Sequence, residues 1–327
     1  MYSLDLNKSI NGEKNLKVRF WGVRGSVPTP VTPQQLQNKI SAVIQRITSK
    51  DIESPDARER FISNLPEWLY GTIGGNTSCV EIKGNDKSEI LVDAGTGLRV
   101  YGKNGIQPEN KTYNIFFSHF HWDHIQGVPF FDPVYSRDSK INFYSPFENF
   151  KKYLAGQQFQ PYFPVPFDFT SENFSFNEFS ESNPVTVGNI KVECCKMSHP
   201  GISYAYAFSE DGKKFVYATD VELSQNDFIS TEEHETVFRN ADAIVLDSQY
   251  TVEEAYNKEN WGHSAFCYAI DFAVHWGIKK IFLFHHEPAY DDKKLNSILQ
   301  SARWYAKYVC HSEIKVYIAS ENQEFEV

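Results

Sequence analysis

Residues 116–131 read FFSHFHWDHIQGVPFF, and they place His119, His121, Asp123 and His124 in the spacing H-x-H-x-D-H. The apolar run Ile115-Phe116-Phe117 leads into this stretch and reads as the end of a buried strand. Gly127 and Pro129 follow it closely. Three imidazoles and a carboxylate within six residues are poor packing material, because each buried ring needs a polar partner. They are good ligands for borderline metals, which take neutral imidazole nitrogen and carboxylate oxygen. Around a sharp strand-to-helix turn, His119 and His121 point one way, and Asp123 and His124 point to a second position beside the first. The expectation is two adjacent metals.

A chain of 327 residues with 41% hydrophobic and 15% aromatic content has material for a sizeable core, in one large domain or two medium ones. No apolar run approaches the length that spans a bilayer. Residues 1–20 lack the apolar centre of a signal peptide, so the expected location is the cytoplasm, with no membrane partner. Five cysteines with no C-x-x-C pair suggest neither a disulfide framework nor a cysteine zinc site. The net charge is −10 and no Lys/Arg-rich run is present, which disfavours a long nucleic acid as substrate.

Residues 16–26, LKVRFWGVRGS, read as a strand running into a loop, with Arg24 either ion-paired or aimed at a ligand. Leu36, Ile40, Val43, Ile44 and Ile47 recur at helical spacing over 34–48, and a second short helix covers 57–65. The apolar stripe of this pair is read as core. The pair is expected to be a helical insertion at about 33–66, either a lid or a homodimer contact. Strands are expected at 77–84, 89–97, 115–118, 142–144, 185–199, 203–220, 243–250, 280–284 and 314–318. Asp211-Gly212 marks a hairpin. Ser264 is expected to cap a helix over 265–276, and a last helix covers 292–309. The aromatic, Pro-stiffened loop 158–169 either walls a pocket or covers core. Strands and helices alternate without a Gly- or Ser-rich linker, so one α/β domain over 1–327, two sheets faced by helices, is the economical organisation.

Ligand types recur at strand ends: Asp93, His119, His199, Asp220, Asp247 and His285. In α/β proteins the carboxyl ends of strands are where sites are built. Together with the H-x-H-x-D-H stretch and with FWGVRGS, GGNTSCVEI, LVDAGTG, YATD, GHS and LFHHEP, they resemble the metallo-β-lactamase superfamily of hydrolases. The resemblance runs from Phe20 to about Pro288. It implies an αββα sandwich of two mixed sheets with a dinuclear metal site. The region KMSHPGISYAYAF lacks the G-H-T-x-G of true β-lactamases and glyoxalases, and His121 stands where flavo-diiron proteins carry Glu. The run ATD, LDSQY, GHS, LFHHEP is similar to the phosphodiesterase branch, which includes cyclic-nucleotide and phosphoribosyl cyclic phosphodiesterases and tRNA 3′-processing endonucleases.

That resemblance implies roles. His119, His121 and His199 would hold one metal; Asp123, His124 and His285 the other; Asp220 would bridge them. His285 is preferred to His286 because it directly follows the strand. Asp93 would orient a ligand imidazole. Asp123, Asp247 and His263 are the expected catalytic residues, with His263 serving the leaving oxygen. The expected cofactors are two divalent metal ions, zinc first, manganese or iron also suiting His and Asp ligands. The expected substrate is a small phosphodiester, a cyclic nucleotide or other cyclic phosphate. An RNA end or a carboxylic ester would meet the same chemistry, and a ligand-sensing module without turnover is the reading from a different class.

Overall fold

In the strand Glu89–Val92, Ile90 and Val92 enter one apolar cluster and Leu91 enters another, on the opposite face. Successive side chains of a strand point to opposite faces, so a strand covered on both sides reads as a continuous apolar run. The computed structural model describes residues 15–167 and 172–327. Residues 1–14, and residues 168 and 169 of the aromatic loop, lie outside the described residues.

The strands in chain order are β1 (Lys17–Gly22), β2 (Cys79–Lys83), β3 (Glu89–Val92), β4 (Thr112–Phe116), β5 (Lys140–Ser145), β6 (Phe174–Glu178), β7 (Val185–Val187), β8 (Ile190–Met197), β9 (Ser203–Glu210), β10 (Lys213–Ala218), β11 (Ala243–Asp247), β12 (Lys280–Phe284), β13 (Lys315–Ile318) and β14 (Glu324–Glu326). They form two seven-stranded sheets. The first has the order β14-β1-β2-β3-β4-β5-β6 and the second β13-β12-β11-β10-β9-β8-β7. Both are mixed. In the first, β3 to β6 pair in parallel and the β1, β2, β3 and β14 pairings are antiparallel. In the second, β10 to β13 pair in parallel and β7 to β10 antiparallel. The larger apolar cluster joins Val18, Phe20, Val80 and Val92 of the first sheet to Phe208, Val216, Leu246 and Phe284 of the second. Helices cover the outer faces. Leu98 and Tyr101, on the helix Thr96–Asn104, pack into the second cluster with Leu91 and Ile115. Across the molecule, the helices Phe266–His275 and Asp292–Tyr308 bury Ile270 and Leu295 against the second sheet. The architecture is the expected αββα sandwich.

The hairpin at Asp211-Gly212 forms as expected. Glu210 pairs with Lys213, and both turn residues take positive φ, 50° and 79°, as a two-residue turn matching the strand twist requires. Three local expectations need correction. Ser264 does not cap the following helix, whose N-cap is Ala265; its hydroxyl instead donates to the Val221 carbonyl (2.6 Å) and accepts the Leu223 amide (2.9 Å). The edge strands β6 and β14 are not among those expected; they close the first sheet beside β5 and β1. The helix Pro33–Ile44 forms where its period predicts, but none of its residues is buried, and Ile44 is 64% exposed. Its apolar stripe is surface, because helical period reports a face and not what covers that face. Arg24 is turned to backbone, donating to the carbonyls of Gly74, Glu287 and Tyr290. Four cysteines are buried, Cys310 is half-buried, and all five are free thiols. Among the described residues no helix is long and apolar enough to cross a membrane.

Candidate metal centre

All the strand-end residues collect at one end of the sandwich. Asp93 follows β3, His119 to His124 follow β4, His199 follows β8, Asp220 follows β10, Asp247 ends β11 and His285 follows β12. These strands end at the same edge because β3 and β4, and β10, β11 and β12, run in parallel. Asp93, Asp220 and His285 each sit in the left-handed region, at φ of 60°, 53° and 59°. That conformation is uncommon for residues with a Cβ, His included, and it persists where the surroundings over-determine it. Here it swings the side chain sharply off the strand end.

Beside a smaller group of Asp247, His263 and His285, two four-residue groups of ligand atoms result, each with its members within 4.8 Å of one another: His119, His121, His199 and Asp220, and Asp123, His124, Asp220 and His285. Asp220 belongs to both. Its Oδ1 lies 3.8 Å from His119 Nε2 and 3.9 Å from His199 Nε2. Its Oδ2 lies 3.1 Å from His124 Nε2 and 3.3 Å from His285 Nε2. Oδ2 of Asp123 is 3.2 Å from His285 Nε2 and 3.3 Å from His124 Nε2.

The other nitrogen is anchored in four of the five rings. His124 donates through Nδ1 to Asp93 (2.8 Å). Ser118 gives its single hydroxyl proton to Asp93 (2.8 Å), so its oxygen accepts from His119 Nδ1 (3.1 Å). His199 donates through Nδ1 to the Gly262 carbonyl (2.8 Å), and His285 to Gln249 Oε1 (3.0 Å). Each anchored ring, when neutral, presents an unprotonated Nε2 to the cluster. Lone pairs facing carboxylates cannot hydrogen-bond to them, and Nε2 of His119 and of His124 are buried without a hydrogen-bond partner, while His199 Nε2 lies 3.1 Å from His121 Nδ1. A cation resolves this. Separations of 3.1–3.9 Å are those of atoms sharing an ion about 2.0–2.2 Å from each. The donor set therefore fits two divalent ions.

The electrostatics show that the buried carboxylates call for positive charge at this place. Burial alone would lower the pKa of His124, but Asp220, Asp123 and Asp93 reverse this and raise it well above the usual value. Burial lowers His119, with His124 adding to the effect. Burial would raise the carboxyl of Asp123, yet His124 and His285 hold it well below the ordinary range.

His263 stands beside the cluster, its ring 4.9 Å from that of His285 and 5.5 Å from that of His199. Its Nδ1 is 2.7 Å from Asp247 Oδ2, while Asp247 Oδ1 accepts the amides of Gln249 and Ser264. Burial opposes charge on His263, but Asp247 outweighs it and lifts the pKa to about 9. His285 and not His286 reaches the cluster. His286 is buried with Nε2 2.9 Å from the Ala319 carbonyl, and burial, with Arg24 nearby, lowers it to about 3.

Several supporting residues escaped the sequence. Gln249 fixes His285 and is itself held by Glu287 (2.8 Å). Tyr217 donates to Asp93 (2.7 Å), and the Ser26 amide donates to Asp123 (2.8 Å). Glu222 accepts the amides of Asn260 and Gly262, fixing the carbonyl that anchors His199. Two glycines back the rings closely. A Cβ on Gly25 would lie 2.5 Å from His285 Nδ1, and one on Gly262, at φ +86°, 2.2 Å from His199 Nδ1. Their place in FWGVRGS and WGHS was the only available signal.

This fold and site define a metallo-hydrolase. Residues 88–286 match the Beta-lactamase superfamily domain, and the chain belongs to that family of metal-dependent hydrolases. Among curated proteins it is 23% identical to a ribonuclease Z of Prochlorococcus marinus over 278 residues, covering 68% of this chain and 86% of that protein. Among solved structures, the metallo-β-lactamase fold protein YhfI of Bacillus subtilis superposes with a TM-score of 0.64 at 16% identity, covering 96% of this chain and all of that one. Yeast PDE1 does so with a TM-score of 0.64 at 14% identity, again covering 96% of this chain and all of that one.

Proposed function

We propose that this protein hydrolyses a small phosphodiester, a cyclic nucleotide or another cyclic phosphate, with two divalent ions held by His119, His121, Asp123, His124, His199, Asp220 and His285. The observation that carries the reading is the Asp247–His263 pair beside the cluster. A binding-only module needs no proton donor at that position. Bound divalent ions would supply water activation and neutralise charge on the phosphate oxygens.

Hydrolysis adds a water oxygen to phosphorus and breaks one P–O ester bond, so the departing oxygen needs a proton. His263 holds Nδ1–H against Asp247, which leaves Nε2 to give that proton. Asp247 keeps the tautomer and, through the amides of Gln249 and Ser264, its own orientation. Asp93, Ser118, Gln249 and the Gly262 carbonyl fix four imidazoles before any ligand arrives.

A second reading, cleavage at an RNA end, is favoured by the ribonuclease Z similarity. One panel tests both. Pure protein with its metal content measured is assayed on cyclic nucleotides, linear alkyl and RNA diesters, a carboxylic ester and a β-lactam. Two ions per chain with turnover of a diester and none of the β-lactam is expected. Faster turnover of the β-lactam than of any diester overturns the reading, and inactivity on every substrate moves the protein to the sensing class.

A further inference from the structure

We infer that Trp122 and the loop 157–167 form an aromatic rim that selects substrates carrying a nucleobase joined to the scissile phosphate. The inference rests on the phosphodiesterase reading and names the chemistry next to the cut bond. Trp122 is one peptide bond from His121 and from Asp123, so its position is fixed to the cluster. Its neighbour Phe120 packs against Phe117, Phe147 and Phe150. The Trp122 ring instead is 81% exposed, and among the described residues it meets no other ring and no cation.

The loop lies against the short helix Trp122–Ile125 and the turn that follows it. Gln157 donates to the Ile125 carbonyl at 3.1 Å, and Phe163 meets Phe130 edge-on at 5.7 Å. Phe167 is buried and belongs to the core. Phe159 and Tyr162 meet edge-on at 5.3 Å and stay outside, with Tyr162 76% exposed. Phe167 therefore covers core, and Phe159 and Tyr162 do not.

The charge pattern decides what such a rim can hold. Residues 154–167 contain no Asp, Glu, Lys or Arg, in a chain that is 23% charged. A surface that grips a phosphate backbone needs cations. A surface of exposed π-faces without cations suits bases, which stack on aromatic rings whatever their identity. The base can belong to a free cyclic nucleotide or to the last residue of an RNA, and the two differ only in what lies beyond it.

The test uses the full chain with measured metal content. Parent, Trp122→Ala, Trp122→Phe and Tyr162→Ala are compared on a 2′,3′-cyclic nucleotide, a 3′,5′-cyclic nucleotide, a short RNA ending in a diester, and a ribose cyclic phosphate lacking the base. The readout is the ratio of kcat/KM for a base-bearing substrate to that for the base-free one. Loss of one stacked base corresponds to roughly a 10- to 100-fold fall in this ratio. It is expected for Trp122→Ala, less for Tyr162→Ala, and largely restored in Trp122→Phe. Independently, nucleoside monophosphate should quench tryptophan fluorescence in the parent and lose most of that quench in Trp122→Phe. Whichever base-bearing substrate shows the larger fall identifies the source of the base. An unchanged ratio with unchanged quench, while diesters are still cleaved, overturns this inference alone. Absence of diester cleavage overturns the phosphodiesterase reading and leaves the quench to judge the rim.

Discussion

The two halves of the cluster share Asp220 and draw on one six-residue motif, yet they differ in access. Asp123, His124, Asp220 and His285 are all buried, whereas the half made by His119, His121 and His199 is open at His121. The difference comes from what packs behind each. The buried half is backed by Asp93 and Tyr217 on one side and by Gln249 and Gly25 on the other. The open half rests on Ser118 at His119 and, at His199, on the loop at Gly262 held by Glu222. The comparison teaches that neighbouring ligands of one motif can differ in rigidity and solvent contact when distant segments support them.

The largest expected effect comes from removing what the halves share. Asp220→Ala should carry metal content from two ions towards none and diester turnover to background, both followed by metal analysis and assay of the same sample. A variant that still holds two ions would show that the halves are independent. A smaller effect is expected beside both halves. His263→Ala should lower turnover of an alkyl diester about 10²- to 10⁴-fold with both ions retained. The loss should shrink with a p-nitrophenolate leaving group, which needs little protonation. Equal activity of variant and parent on the alkyl diester removes His263 from the chemistry. The smallest effect sharpens the comparison itself. In the parent, a chelator should remove the ion of the open half first. Gln249→Ala should weaken the buried half alone, by about 10- to 100-fold in metal affinity. Competition with a coloured chelator should then show the two release steps merging. Two steps as well separated as in the parent would mean that Gln249 does not govern His285.

Much of the site was legible because its signals are local. The H-x-H-x-D-H spacing, the apolar runs ending in Asp93, Asp220, Asp247 and His285, and the Asp211-Gly212 turn each lie within a few residues, where backbone period decides direction. The choice of His285 over His286 was local too, since the first residue after β12 turns inward at positive φ. Edge strand β14 is only three residues long, too short for a period, and it exists because β1 offers it an edge.

What the sequence by itself determined is the chemistry: which side chains stand at strand ends, and that their types suit metal ions. What only the tertiary structure decided is burial and partnership. Helical spacing at Leu36, Ile40 and Ile44 names a face, and nothing in that spacing says the face stays in water. Ser264 precedes a helix, yet its hydroxyl serves Val221 and Leu223, more than forty residues away. Gln249, Tyr217 and Glu222 gain their roles in the same way, from contacts between segments far apart in the chain. The physical reason is that a hydrogen bond or a covered surface belongs to a pair of segments, and a sequence read one stretch at a time contains only one of the two.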